Sequence, residues 1–367
     1  MFGWIDWVIA VLMDLELNLY RSMGRNLQRH KLEQERQGFR WTQWQAVQLR
    51  GLRSFRRKLS SEVNKTFEEL LPYIEQHIEE AYQSGQETFD KAILGAQDAG
   101  IRLQPVSVES FAGVHEERLK TVILDVRSDM DKARYGAAQR AGAIYEDIIK
   151  RADVAFQTGT TTLLDSVEYA TKEAAKQGLN AIEYEDGKRV NVSSYVEMAL
   201  RTSARRAANE AEGVKREEWG IYTVISPTLH STCDTCQEWQ GKILIDDVFS
   251  KGKPDGKHPM LSEAMKPPSH FQGPNCRHPL TVYIPGVTQI PKKSDFDQTK
   301  SNYEAEQQQR YIERKIREWK RQEALSVNKD EKAKAALKVK TWQAAMREHL
   351  RHQPQLRRNP QREKLLD

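Results

Sequence analysis

The chain has 367 residues, 38% of them hydrophobic and 30% charged, with a mean hydropathy of −0.74 and a formal net charge of +5. That length suffices for two or three domains, and the polarity fits helices with broad solvated faces. No stretch offers about 18 uninterrupted apolar residues, so no membrane span is expected, and the modest positive charge permits a phosphate-bearing partner without requiring one.

The chain opens on "MFGWIDWVIAVLMDLELNLY". This stretch lacks a basic leader, carries Asp6, and runs into Asp14 and Glu16 without a small-residue cleavage site, which argues against a signal peptide. The expectation is an apolar-faced helix docking on its own protein, with another subunit and then a membrane surface as alternatives. Residues 1–156 read as a helical bundle or stalk. Val63, Phe67, Leu70, Leu71 and Ile74 recur at helical spacing, Ser61 and Glu62 sit where that helix would begin, and Pro105 breaks the pattern. A second long helix of about ten turns follows.

Residues 157–225 read as a helical linker region with a short hairpin. A helix ends at Gly178, "IEYEDGKRVN" carries an Asp-Gly pair between short alternating runs, and a further helix is expected to be capped by Ser193 or Ser194. "IYTVIS" is then a strand closed by Pro227. Between 226 and 290 helical periodicity disappears and prolines, glycines, histidines and every cysteine crowd in. This segment is expected to have little apolar core and to need another staple. Residues 291–367 form a basic helical tail: from Lys300 onward there are 18 Lys and Arg against 10 Asp and Glu. The final "RRNPQREKLLD" reads as unstructured. The expected fold class is therefore mostly α, with a small α+β module between the helical N-terminal region and the tail.

The three cysteines carry the chemistry. An odd number confined to one region argues against a disulfide framework and fits a reducing compartment. Cys233 and Cys236, in "LHSTCDTCQEWQGKIL", have the spacing that places two thiolates at two corners of a zinc tetrahedron. Cys276, in "HFQGPNCRHPL", is the third donor. The fourth is expected to be His270, with His278 next and His230 and His258 behind. Such a shell leaves no open position for water, so the expected Zn²⁺ is structural. The alternatives are unliganded half-buried thiols, or a redox pair, which lacks here its usual βαβ context. No H-E-x-x-H, G-x-S-x-G, phosphate loop or dinucleotide fingerprint appears. His115, in "VHEE", is expected at the surface. A metal-dependent nuclease or toxin-like hydrolase would need a carboxylate such as Asp246 or Asp247 beside the metal. Trp239, Gln240 and Gly241 read as turn and packing residues, and "KGKPDGKHP" as a solvated loop. The basic C-terminal helix reads as a solvated face, with nucleic acid as the alternative because Trp319 and Trp342 are interleaved with its charge.

"SSYVEMALRTSARRAANEAE", "SPTLHSTCDTCQEWQGKIL" and "FQGPNCRHPLTVYIPG", in this order, resemble tailed-phage minor capsid proteins. The resemblance is to the phage minor capsid protein 2 family, related to the Mu head-morphogenesis type, and covers about residues 184–286. By position it carries over Arg201, Thr202, His230, Trp239, Gln240, Gly241 and Asn275 through His278. "STCDTC" departs from many relatives, which have a Gly-Ala-Arg-Pro turn there, and is similar instead to the Mu-type variant. The resemblance implies a non-enzymatic virion component near the portal vertex, supporting head assembly and DNA packaging or ejection. Its implied partners are the portal protein and the major capsid protein, and the basic tail would touch packaged DNA.

Overall fold

A computed structural model of the chain describes residues 3–37, 41–106, 111–157, 162–269, 271–292 and 295–363. The described chain is mostly helical and divides into two compact units, each assembled from separated stretches. Unit 1 comprises Met1–Leu70, Met130–Glu197 and Glu306–Asp367; unit 2 comprises Leu71–Asp129 and Met198–Ala305. The elements in chain order begin with helices α1 (Gly3–Gln37), α2 (Trp41–Asp98), α3 (Ala112–Gln157) and α4 (Leu163–Gln177). Strands β1 (Asn180–Glu183) and β2 (Arg189–Asn191) lead into α5 (Val192–Trp219) and β3 (Thr223–Ile225). The one-turn helix α6 (Asp234–Gln237), β4 (Ile243–Ile245), the one-turn α7 (Leu261–Ala264) and β5 (Thr281–Val282) follow. Helices α8 (Phe296–Leu325) and α9 (Lys329–His352) then complete the main elements. None of the described helices is long and apolar enough to cross a membrane.

In unit 1, α1 is buried on more than one side, through Ile5, Val8, Ile9, Leu12, Leu15, Leu19, Tyr20 and Met23. It docks on its own chain, as its composition suggested. Glu16 accepts from the Leu179 N–H at 2.5 Å and from Asn191 Nδ2 at 3.1 Å, and it faces Arg321 of α8 at 3.6 Å. Helix α2 does not begin at Ser61 as expected. The apolar stripe of Val63 and Phe67 already starts at Leu52 and Leu59, and no glycine or proline intervenes between Leu52 and Ser61 to stop the helix. Helix α4 is capped by Thr162, whose side chain accepts from the Asp165 N–H at 3.1 Å, and ends at Gly178 with φ 63°. The Asp186-Gly187 turn joins β1 and β2 as an antiparallel hairpin, with Ile182 opposite Val190.

The cap of α5 is Asn191 rather than Ser193 or Ser194. Its Oδ1 accepts from both the Ser193 N–H (3.0 Å) and the Ser193 hydroxyl (2.7 Å). Helices α8 and α9 pack along Ile312, Ile316, Val339 and Met346, with Trp319 and Trp342 partly buried in the same seam. Residues 357–363 are held by ion pairs, which corrects that part of the expectation of an unstructured end, while residues 364–367 lie outside the described ones. Arg358 binds Glu363 through two hydrogen bonds, of 2.5 and 2.7 Å, Arg362 pairs with Glu197, and Glu363 is buried.

In unit 2, β3 is the middle strand of an antiparallel sheet in the order β4-β3-β5, with Val224 opposite both Leu244 and Val282. The segment expected to lack a core has one of its own. Val224, Leu244, Phe249, Leu261, Phe271 and Leu280 are all buried together, with Trp239 and Met265 packed against them. These residues come one from each turn or strand, without a repeat, so no periodicity announces them. His115 is not a plain surface residue. It is half-buried, with Tyr82 Oη at 2.8 Å from its Nδ1, and burial first, then Lys215, lowers its pKa.

Candidate metal centre

Two turns bring the thiols together. Cys233 sits just before α6, and its carbonyl accepts from the N–H groups of Cys236 and Gln237, each at 3.2 Å. That single helical turn puts the Cys233 and Cys236 sulfurs on one side. The second turn holds Gln272 at φ 57° and Asn275 at φ 63°, and the Cys276 N–H donates to Gly273 O at 3.1 Å. Left-handed backbone is tolerated by asparagine but costs a glutamine about 1 kcal/mol, so other contacts must hold this loop in shape.

Those contacts come from one face of α5. Arg205 is buried and donates to the carbonyls of Cys276, Gln272 and Gly273, the last two at 3.1 Å. One turn on, Asn209 Nδ2 donates to Gln272 Oε1 at 3.1 Å. Gln272 in turn donates through Nε2 to His278 O at 2.7 Å. Further along the same helix, the fully buried Arg216 binds Asp246 (2.9 Å) and Glu212 (3.0 Å). Asp246 also accepts from the N–H groups of Val248 and Phe249 and from the Ser250 hydroxyl. Arg205, Asn209, Glu212 and Arg216 thus form a buried polar stripe that ties the loops on either side of the sheet to one helix.

Cys236, Cys276 and His278 are all buried, and their donor atoms lie within 4.8 Å of one another. Cys276 Sγ is 3.4 Å from His278 Nδ1. With Zn–S about 2.3 Å and Zn–N about 2.0 Å, the sulfur–nitrogen edge of a tetrahedron is about 3.5 Å, so the pair fits a shared ion. His278 Nε2 lies 3.2 Å from Thr232 Oγ1. Donation of Nε2–H to that hydroxyl leaves the Nδ1 lone pair facing Cys276, the usual way a ligand imidazole is oriented. The Phe271 ring packs against the imidazole at 5.7 Å. Cys233 is half-buried beside this trio. The Cys236 thiol lies between the other two cysteines and can donate to either, which brings Cys233 down to about 5, holds Cys276 below the usual thiol range and pushes Cys236 itself up. Arg205 adds to the effect at Cys276. Thiols this close, two of them held below the usual thiol range, are a donor set that suits a soft divalent cation.

Of the histidines considered as fourth donor, His270 lies outside the described residues. His230 is exposed, and its carbonyl accepts from Asn302 Nδ2 at 2.6 Å. His258 is engaged with Asp255 at 2.6 Å. Only His278 joins the cysteines among the described residues. A recess of about 250 Å³ lies against the cluster, bounded beside the donors by Leu229, Pro274, Asn275, Arg277 and Tyr303. Its lining contains no carboxylate. Asp246 is committed to Arg216, and Asp247 accepts from the Ser262 N–H (2.9 Å) and hydroxyl (2.5 Å). Trp239 packs on the cluster that contains Cys236, with the Lys242 ammonium 4.5 Å from its ring centre, and Gln240 accepts from the Leu229 N–H at 2.6 Å. Arg205, Asn209, Glu212 and Arg216 are the positioning residues that sequence reasoning missed. Their one signal was the i, i+4, i+7, i+11 spacing on α5, masked by the charges around it.

Comparison with known proteins supplies the context. The family profile "Phage minor capsid protein 2" matches residues 2–351. A "Structural protein" of Lactococcus phage LL-H is 25% identical over 229 residues, which cover 60% of this chain and 61% of that relative's length. A "Structural protein" of Lactococcus phage mv4 is 32% identical over 103 residues, 27% of this chain and 83% of the relative. No solved structure matches the chain. A profile match that runs through nearly every element described above, including the α5 stripe and both cysteine turns, leaves one conclusion: the chain belongs to the phage minor capsid protein 2 family.

Proposed function

We propose that this protein is a structural, non-enzymatic component of a phage head, seated at the portal vertex against portal or major capsid subunits. There it supports head assembly and the packaging or ejection of DNA, which its basic tail touches. In this reading Cys233, Cys236, Cys276 and His278 hold a Zn²⁺ that clasps the α6 turn to the 272–278 loop. What supports it is the convergence of two buried thiols and an imidazole, with the Cys233 thiol beside them, on a carboxylate-free wall. Such a donor set fills a tetrahedron, whereas hydrolysis needs an open position and a nearby base. Zinc bound this way adds its binding energy to folding.

Elemental analysis of the purified protein should find about one zinc per chain. Cys236→Ser should release it and lower the melting temperature of the part of unit 2 around residues 229–280. A mutant that keeps both its metal and its melting profile defeats the clasp. Cross-linking within assembled particles tests the location: adducts to the portal protein support it, and adducts confined to capsid facets far from the portal refute it. DNA cleavage in Mg²⁺ or Zn²⁺ that disappears with Cys276→Ser would establish the hydrolase instead.

A further inference from the structure

The largest group of cations between successive acids in this chain lies outside the tail and runs from the end of α1 into the start of α2, which carries five of them. Seven Lys and Arg fall between Glu35 and Glu62. The opposite face of this helix is committed to the interior of unit 1: Leu52, Leu59 and Val63 are buried, and Phe55 packs on Tyr145 with ring centres 4.5 Å apart. The outward face carries Arg53, Arg57 and Lys58. All three are exposed, and none makes an ion pair or hydrogen bond among the described residues.

A groove of about 680 Å³ runs along this face, lined by Arg53, Arg57, Lys65 and the Ser60 and Ser61 hydroxyls, with Glu68 the one acid in its wall. It shares Arg56, Ser60 and Asn64 with an adjoining recess of about 470 Å³ that reaches across to Arg134 and Tyr135 on α3 and has no acid in its wall. Gly142 lets the two helices come this near, since a Cβ there would stand 2.9 Å from Arg56 Cγ.

The tail differs. Part of its charge is engaged within unit 1: Arg321 is buried, burial brings Arg317 down to about 10, Arg358 and Arg362 bind Glu363 and Glu197, and Lys315 pairs with Glu318. Trp319 and Trp342, the aromatic side chains interleaved with the tail's charge, lie in the α8–α9 seam.

We infer that the first half of α2, from Arg53 to Lys65, is a non-specific binding site for the phosphate backbone of double-stranded DNA. Guanidinium forks and hydroxyl donors with a single carboxylate, Glu68, beside them and no sequence-reading element match phosphodiester oxygens rather than base edges. The stripe is about 18 Å long, enough to lie beside several phosphates of one strand. An anionic lipid surface would call for apolar side chains interleaved with the charge, and here those side chains are buried.

The site rests on the reading of the chain as a head component that meets DNA, and it moves the principal contact from the tail to α2. The test is fluorescence anisotropy of a labelled 30-base-pair duplex with the full chain, between about 50 and 200 mM salt. Arg53→Ala/Arg57→Ala/Lys58→Ala should weaken binding at least about tenfold and flatten the salt dependence by about two to three in log–log slope. Lys332→Ala/Lys338→Ala/Lys340→Ala, in α9, should change affinity less than about threefold. The mutated side chains are exposed, so both variants should melt as the parent does. If the α9 variant carries the loss and the α2 variant binds normally, the α2 site is wrong while DNA contact through the tail survives. If the parent chain ignores the duplex, both fall. Retention instead on vesicles containing phosphatidylserine, lost with the α2 variant, would make this a lipid-phosphate surface and overturn the proposal.

Discussion

The two units solve different problems with the same amino acids. Unit 1 carries 38 Lys and Arg against 28 Asp and Glu, a net +10, whereas unit 2 carries 19 against 24, a net −5. In unit 1 long helices bring large apolar side chains together, among them Ile5, Ile9, Leu19, Tyr20, Met23 and Leu59, each nearly inaccessible to solvent. Unit 2 holds short strands and one-turn helices on one face of α5, and that contact is made largely by buried charge. A net +5 for the whole chain hides this division. The average says little about partners, while the +10 of unit 1 says where polyanions would be drawn.

The sharpest way to break the contrast is Arg216→Met. It leaves Asp246 buried without its cation, at a cost of about 3–5 kcal/mol. Hydrogen exchange should show residues 223–250 losing protection while the protected amides of α1 and α4 in unit 1 change little. Equal loss in both units would mean that they do not fold independently.

A smaller effect follows from Glu212. Burial, only partly offset by Arg216, raises its pKa to about 7, since Arg216 faces two carboxylates and can neutralise one. Because the folded pKa lies above the unfolded value, the native state holds an extra proton between about pH 4.5 and 7. Stability from this group is therefore present below pH 4.5 and lost as pH rises through 7. Compared with the parent, Glu212→Gln should remove a fall of about 1–3 kcal/mol across that window, read from urea unfolding at several pH values. Identical pH profiles would place the carboxylate's proton elsewhere. The smallest expected change belongs to unit 1. Thr162→Ala removes the α4 cap and should cost about 1 kcal/mol in chemical denaturation, with no change in metal content.

What the sequence made legible follows the same division. Punctuation was readable: Gly178 as a helix end, Asp186-Gly187 as a hairpin turn and "IYTVIS" as a strand all hold in the structure. So did the helical texture of unit 1, because apolar residues every three or four positions can mean little else. Where a local signal competed with a longer one, the longer one prevailed. Ser61 looks like a cap, but the stripe from Leu52 through Phe67 carries α2 past it. Two of the three residues of the buried trio, Cys236 and Cys276, were evident from chemistry alone. Their supporting shell was not, because Arg205 and Arg216 sit among eight other charged residues on α5 and look as solvated as any of them. Only tertiary burial separates the arginine that grips three carbonyls from the ones that face water.

Two missing side chains in unit 2 fix how α5 meets its surroundings. At Gly85 of α2 the backbone of Ala208 comes so near that even a methyl group would collide with it, and at Gly213 the backbone of Phe249 does the same. Contacts of main chain on main chain have no rotamers to absorb a shift. The helix is therefore keyed at two heights, five residues apart, and can neither roll nor slide by a fraction of a turn. A bulkier residue at either position would act as a wedge, turning Arg205 away from the carbonyls it holds while leaving every atom of the thiol cluster chemically unchanged.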